Sequence, residues 1–253
     1  MSKNNFIKSF FLIVLSHISF YGIAQEMEPL QADRPDQTET PSIVPKGLFQ
    51  VETGFTFQKN DTSNKTNSLP STLWKYGVNE NFELRLITEF VSETLNNETS
   101  SGLNPILIGC KIKIAEEKGF WPKTSFIGHI LIPNMASSNF KSDYYVPEFR
   151  FVMQHTLSDK ISFSYNLGAE WDGFSPEPTF IYTVASGYSF TNKFGGYIEL
   201  FGFAPQNRIA YHNFDGGFTY LINNNFMVDL SSGIGITKNA PQHYVAVGFS
   251  FRM

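Results

Sequence analysis

"ISFSYNLGAEW", residues Ile161 to Trp171, decides the fold class, because Ile161, Phe163, Tyr165, Leu167, Ala169 and Trp171 alternate with Ser162, Ser164, Asn166, Gly168 and Glu170. Successive side chains of an extended strand point to opposite faces, so a hydrophobic period of two means a strand with one oily and one polar side. The same period runs through almost all of the chain beyond residue 47. It predicts about twelve strands, near residues 48–58, 70–78, 82–91, 104–114, 123–132, 147–156, 161–171, 178–189, 193–203, 209–221, 225–237 and 243–253. Strands of this length exceed those usual in soluble proteins and suit a tilted crossing of a hydrocarbon layer.

The segment just before Ile161 belongs to a recurring heptapeptide. "HTLSDKI" (155–161) is a loose copy of "YGVNENF" (76–82), "YSFTNKF" (188–194) and "YLINNNF" (220–226). Read as a tight hairpin, each would pair its first ring with its last, Tyr76 with Phe82, Tyr188 with Phe194 and Tyr220 with Phe226, around a three-residue loop. Glu80, Asp159, Asn192 and Asn224 would then take the left-handed conformation. In an up-and-down meander these four turns lie at one end, with a longer fifth link, "AEEKGFWPK", beside them. Connections at the other end are extended and polar: "QKNDTSNKTNSLP", "SETLNNETSSGLNP" and "PNMASSNFKSDYYVP". Short turns on one rim, long loops on the other and an aromatic girdle are the pattern of a transmembrane β-barrel with periplasmic turns and extracellular loops.

Charge placement bears on which face is the inside. Glu52, Lys75, Glu83, Arg85, Glu89, Lys111, Lys113, Glu148, Arg150, Glu170, Glu199, Asp215, Asp229 and Arg252 share the parity opposite to the apolar series. Lipid would satisfy the oily stripes, including Val245, Val247, Phe249, Phe251 and Met253 on the last strand, and closure would remove unpaired edges. The charged series is then the candidate lumen lining. A soluble barrel or sandwich with its apolar face inward is the alternative architecture.

Export is expected from the first 24 residues. Lys3 and Lys8 precede an apolar stretch from Phe10 to Phe20, and Gly22-Ile23-Ala24 resembles a cleavage site. No later stretch approaches the roughly 20 apolar residues of a spanning helix. Without Lys3 and Lys8, 17 basic residues face 23 acidic ones, about −6, which disfavours a nucleic-acid partner. The single cysteine, Cys110, forms no internal disulfide. The absence of a linker beyond residue 47 favours one domain, 48–253, preceded by a segment at 25–47.

That segment carries "QADRPDQTETPSIVPKG" (31–47). Asp33, Arg34, Pro35, Asp36, Gln37, Thr38 and Glu39, followed by Val44-Pro45-Lys46-Gly47 and Phe49-Gln50-Val51-Glu52, make the chain resemble the MetA-pathway of phenol degradation family of outer-membrane proteins. The likeness continues through Lys75-Tyr76-Gly77 and Glu83-Leu84-Arg85, and less specifically through Gly109, Lys111 and Leu131-Ile132-Pro133. It implies a β-barrel in a Gram-negative outer membrane and passage of small molecules, aromatic or hydrophobic ones among them. Arg34 offers a planar fork for carboxylates, and Asp33, Asp36 and Glu39 offer acceptors. The prolines keep the segment out of the sheet. It is expected either to fold against the short-turn rim or into the lumen, or to hang free as a terminal tail.

Catalytic and metal-binding patterns are missing. His129, His155, His212 and His243 lack ligand spacing, and neither Cys110 nor Ser186 has a matched base. No enzyme activity or cofactor is expected. The expected partners are membrane lipid and an unidentified small molecule. A passive channel is the preferred reading, with a structural or surface-binding barrel of closed lumen as the alternative.

Overall fold

The computed structural model describes residues 27–253; the expected export signal at 1–24 lies outside the described residues. Thirteen strands form one antiparallel sheet. They are β1 (Phe49–Lys59), β2 (Lys65–Asn79), β3 (Phe82–Leu95), β4 (Glu98–Leu103), β5 (Ile106–Ala115), β6 (Lys123–Ile132), β7 (Val146–Ser158), β8 (Ile161–Glu170), β9 (Thr179–Ser189), β10 (Phe194–Pro205), β11 (Tyr211–Asn223), β12 (Phe226–Gly235) and β13 (His243–Arg252). Sequence neighbours pair with each other, except β4 and β5, which both pair with β3, and β1 pairs with β13 from Gln50↔Arg252 to Lys59↔His243. That last pairing closes the sheet into an outer-membrane-type barrel of twelve wall positions.

The twelfth-against-thirteenth difference is local. β3 pairs with β5 over its first half and with β4 over its second, so β4 and β5 are one wall strand interrupted at Asn104-Pro105. Proline has no N–H to give the ladder, which explains the break. "SETLNNETSSGLNP", expected as an extended loop, instead continues the hairpin. Asn96 and Asn97 supply it with positive φ values of 51° and 72°, the geometry a two-residue type I′ turn needs.

The short hairpins correct the expected register. Tyr76 opposes Leu84, Tyr188 opposes Gly196 and Tyr220 opposes Val228, not Phe82, Phe194 and Phe226. None of Glu80, Asp159, Asn192 and Asn224 has positive φ. The cause is the fourth position of the heptapeptide, which is Asn79, Ser158, Thr191 and Asn223 in turn. Each side-chain oxygen accepts a hydrogen bond from the backbone N–H two residues on, at 2.8, 3.3, 3.2 and 2.8 Å. This Asx- or Ser/Thr-turn leaves two residues between the strands in three of the hairpins, where the register steps at the third position, as between Gly77 and Asn79, and four residues, 190–193, between β9 and β10. The rings then meet across neighbouring hairpins, as Tyr220 opposite Phe194 and Tyr76 opposite Phe49.

The outer surface is apolar. Leu84, Ile108, Ile130, Leu167, Phe180, Ile198, Phe218, Leu230 and Val247 are all exposed on the outward parity around the wall. So large a contiguous apolar belt has no place in water and is what acyl chains cover. Tyr76, Tyr188, Phe194 and Tyr220 are exposed near the short-turn rim, with Phe82 and Phe226 half-buried beside them. The inward parity is not purely polar: Val91, Ile127, Val152 and Ile181 are buried there, and so are the Tyr197 and Phe201 rings.

Candidate functional site

The site is the barrel interior together with residues 27–47, which enter it from the short-turn end and return to the same end. Leu30 N–H donates to Asn224 O at 2.8 Å on the way in, and Gly47 N–H donates to Gly77 O at 2.7 Å on the way out. Between these points the chain makes a loop whose bend is Arg34-Pro35-Asp36. Its backbone would be unsatisfied in a dry bore; the wall answers it with inward side chains.

Asp33 is the anchor. Its carboxylate accepts from Lys75 Nζ at 2.9 Å, Arg85 Nη1 at 3.0 Å and Lys111 Nζ at 2.9 Å, and from Thr40 N–H at 2.9 Å. Burial would raise its pKa, but the three cations outweigh burial and hold the carboxyl well below its usual range. Glu39 takes Arg85 Nη2 at 2.6 Å, which likewise overcomes burial and lowers its carboxyl. The cations are themselves shared: Lys75 also pairs with Glu52, and Arg85 with Glu83 at 3.1 Å. Glu52 and Glu83 in turn accept the N–H groups of Asp33 and Val44 at 2.8 and 2.9 Å. Every charge of this network has an opposite partner, as buried ions require.

The bend is held differently. Arg34 reaches Asp229 on β12 at 2.8 and 3.4 Å. Its guanidinium fits a recess made by two glycines that oppose each other on β1 and β13. A Cβ on Gly54 would lie 1.9 Å from Arg34 Nη1, and one on Gly248 2.5 Å from Nη2. Gly77 gives the returning strand a similar seat, since a Cβ there would lie 2.2 Å from Val44 O. Thr38 Oγ1 donates to Glu199 Oε1 at 2.5 Å and lies 2.6 Å from Thr183 Oγ1. Gln37 N–H donates to Glu199 at 2.8 Å, Glu39 N–H to Asn166 at 2.8 Å, and Ser125 to Pro41 O at 2.7 Å.

Nine of the fourteen charged lining candidates thus bond the segment directly: Glu52, Lys75, Glu83, Arg85, Lys111, Arg150 (to Gln37 O), Glu199, Asp229 and Arg252 (to Glu28 O). The other five do not. Asp215 is held by the Tyr197 and Tyr244 hydroxyls, and Glu148 pairs with Arg150. Glu89 takes Ser68 and Asn104, Lys113 takes Glu116, and Glu170 is half-buried in the long-loop half. Sequence reasoning read Thr38, Gln50 and Gly77 only as parts of the family motif, and gave no lining role to Gln50, Asn166, Thr183 or the three seating glycines. The signal of these wall residues was their inward parity, which polar neutral residues carry as faithfully as charged ones.

Asp36 stands apart from its motif. Among the described residues no cation pairs with it. Burial, then the nearby Glu199, push its carboxyl well above the usual range. Together with Arg34 and Pro35 it lines two cavities. One, of about 380 Å³, runs from the short turns of β7–β8 and β9–β10 to the bend. The other, of about 320 Å³, lies on the long-loop side of the bend between Phe201, Phe203, Tyr211 and Tyr244. No helix of the described residues is long and apolar enough to cross a membrane, and no metal-binding group of side chains occurs among them.

Solved structures share this fold. An outer membrane channel from Pseudomonas putida F1 superposes with a TM-score of 0.70 at 12% identity, covering 88% of this chain and 100% of its own. The NanC porin gives 0.54 at 9% identity, over 80% of this chain and 98% of its own. The translocator domain of the autotransporter NalP from Neisseria meningitidis gives 0.50 at 11%, over 83% and 90%. At these identities the likeness is one of fold. No protein of curated function matches the sequence. The family described as "Putative MetA-pathway of phenol degradation" matches residues 32–253, which is the barrel and all but residues 27–31 of the inserted segment, and the chain belongs to that family.

Proposed function

We propose that the protein is a passive channel of a Gram-negative outer membrane for small molecules, with Arg34-Pro35-Asp36 as its constriction. One observation carries the reading: the two cavities of about 380 and 320 Å³ approach from opposite ends of the bore and have those three residues in common. The path runs past β7 to β12 on the short-turn side of the bend and past β10 to β13 and β1 on its long-loop side, the strands that line the two cavities. Along β1 to β6 the lumen is filled by the Asp33 network, which fixes the segment to the wall. A small displacement of the bend joins the cavities without breaking that network.

The second reading is a structural barrel with a closed lumen, and the density of bonds to the inserted segment favours it. Planar-bilayer recording separates the two. Discrete currents from the purified full chain, larger in Arg34→Ala, are the expected result. Silence from both proteins under all voltages would leave the closed barrel.

A further inference from the structure

The cavity on the long-loop side has a composition that the channel reading does not require. Its wall is aromatic: Phe203 stacks on Tyr211 at 5.2 Å between centroids and meets Phe201 edge-on at 6.1 Å, with Tyr244 across the space. Its floor is Asp36 and Arg34, whose charge is neutralised by its pair with Asp229. Directly behind Tyr244 sits Asp215, about 1% exposed, bound to the Tyr244 and Tyr197 hydroxyls, with its second oxygen buried and unpartnered. Glu199 is its neighbour across β10 and β11. The lumen is therefore divided by sign. Asp33 and Glu39 face Lys75, Lys111 and Arg85 on one side, whereas Asp36, Glu199 and Asp215 have no ion-pair partner among the described residues on the other.

We propose that this cavity is a binding site for small organic cations with an apolar body, such as an aryl or alkyl ammonium. The inference names a substrate class for the proposed channel, although the binding itself does not depend on conduction. Ring faces attract a cation through their quadrupoles and bury its apolar part. An ammonium over Tyr211 and Phe203 also comes beside Asp36, which has no cation of its own, and its charge draws the proton off that carboxyl so that the two form an ion pair. A carboxylated aromatic finds no free cation here, because Arg34 is taken by Asp229, and its charge opposes ionisation of the acids around it. The volume is at the small end of ligand pockets and suits a single ring with a compact head group.

Calorimetric titration of the detergent-solubilised full chain tests this with phenyltrimethylammonium, benzyl alcohol and benzoate. The expected result is binding of the cation at least roughly tenfold tighter than the alcohol, the size of a desolvated cation–π contact plus an acid, and no binding of benzoate. Asp36→Asn should remove most of the difference between cation and alcohol, and Tyr211→Ala should weaken both. Equal binding of the three probes to the unaltered protein, or no binding of the cation, overturns the proposal without any variant. An unchanged preference in a folded Asp36→Asn overturns the role given to Asp36. Selective binding with silent bilayers would sink the channel and keep the site; currents without cation preference would do the reverse.

Discussion

Asp33→Asn removes the charge on which three cations converge while keeping the shape of the side chain. Lys75 retains Glu52, and Arg85 retains Glu39 and Glu83. Lys111 is left with Glu39 at 4.0 Å and the Thr40 carbonyl at 2.8 Å. Breaking one partner out of a buried ion pair costs about 3–5 kcal/mol. Because two of the three cations keep a full partner, the lower end applies, about 3 kcal/mol against docking of the segment. At about 1.4 kcal/mol per tenfold, the ratio of docked to released segment falls roughly 100-fold. Two assays read that ratio: the open fraction in single-channel records, and, in a Cys110→Ser background, the rate at which a cysteine placed at Thr38, buried when docked, is labelled by a thiol reagent in the folded barrel. Both should rise by one to two orders of magnitude. Values within twofold of the unaltered protein, with the barrel intact, would refute the reasoning that Asp33 holds the segment.

Three further outcomes follow from the same geometry. Asp33's carboxyl is held well below its usual range while docked and relaxes upward on release, so docking is at full strength above that range and weakens as pH falls through the depressed value; open fraction measured against pH should rise only in strong acid, and less steeply in Asp33→Asn. Gly54→Ala places a methyl where the Arg34 guanidinium lies, the three nearest atoms all belonging to that side chain, so it should displace the bend and raise conductance about as much as Arg34→Ala, with little change in thermal stability of the barrel. Leu230→Arg puts a charge on the exposed outer wall and should cost about 2–4 kcal/mol in a denaturant titration of lipid-folded protein if that position is near the bilayer midplane.

The barrel itself was legible because alternation survives in every strand except β4, and the placement of Phe, Ile and Leu on one parity leaves few ways to fold it. The family likeness was carried by the segment around Asp33-Arg34-Pro35-Asp36, yet its partners could not be read. They lie on nearly every strand of the wall, 195 positions away in the case of Arg34 and Asp229 and 224 in that of Glu28 and Arg252, and period-two patterning says which face a residue takes but not its height or neighbour. The hairpin register was missed for a local reason. Asn79, Ser158, Thr191 and Asn223 compete with the backbone for hydrogen bonds and set the length of the turn, a choice that a ring-to-ring spacing of six does not reveal. The β4 strand was read as loop because "NNETSSG" is polar on both faces, as suits a hairpin without an oily stripe. The ring-lined cavity was hidden by the strength of the outward aromatic pattern, since Phe201, Phe203 and Tyr244 sit on the minority parity.

The account stands or falls on whether the inserted segment controls the bore. Thr38 and Thr183 bring their hydroxyl oxygens to 2.6 Å, so cysteines at both positions, in a Cys110→Ser background, are within reach of a disulfide that ties the segment to β9. Single-channel current through that protein should be held at the closed or smallest level after oxidation and recover its openings on adding reductant. Openings of unchanged size and frequency in the fully cross-linked protein would contradict it.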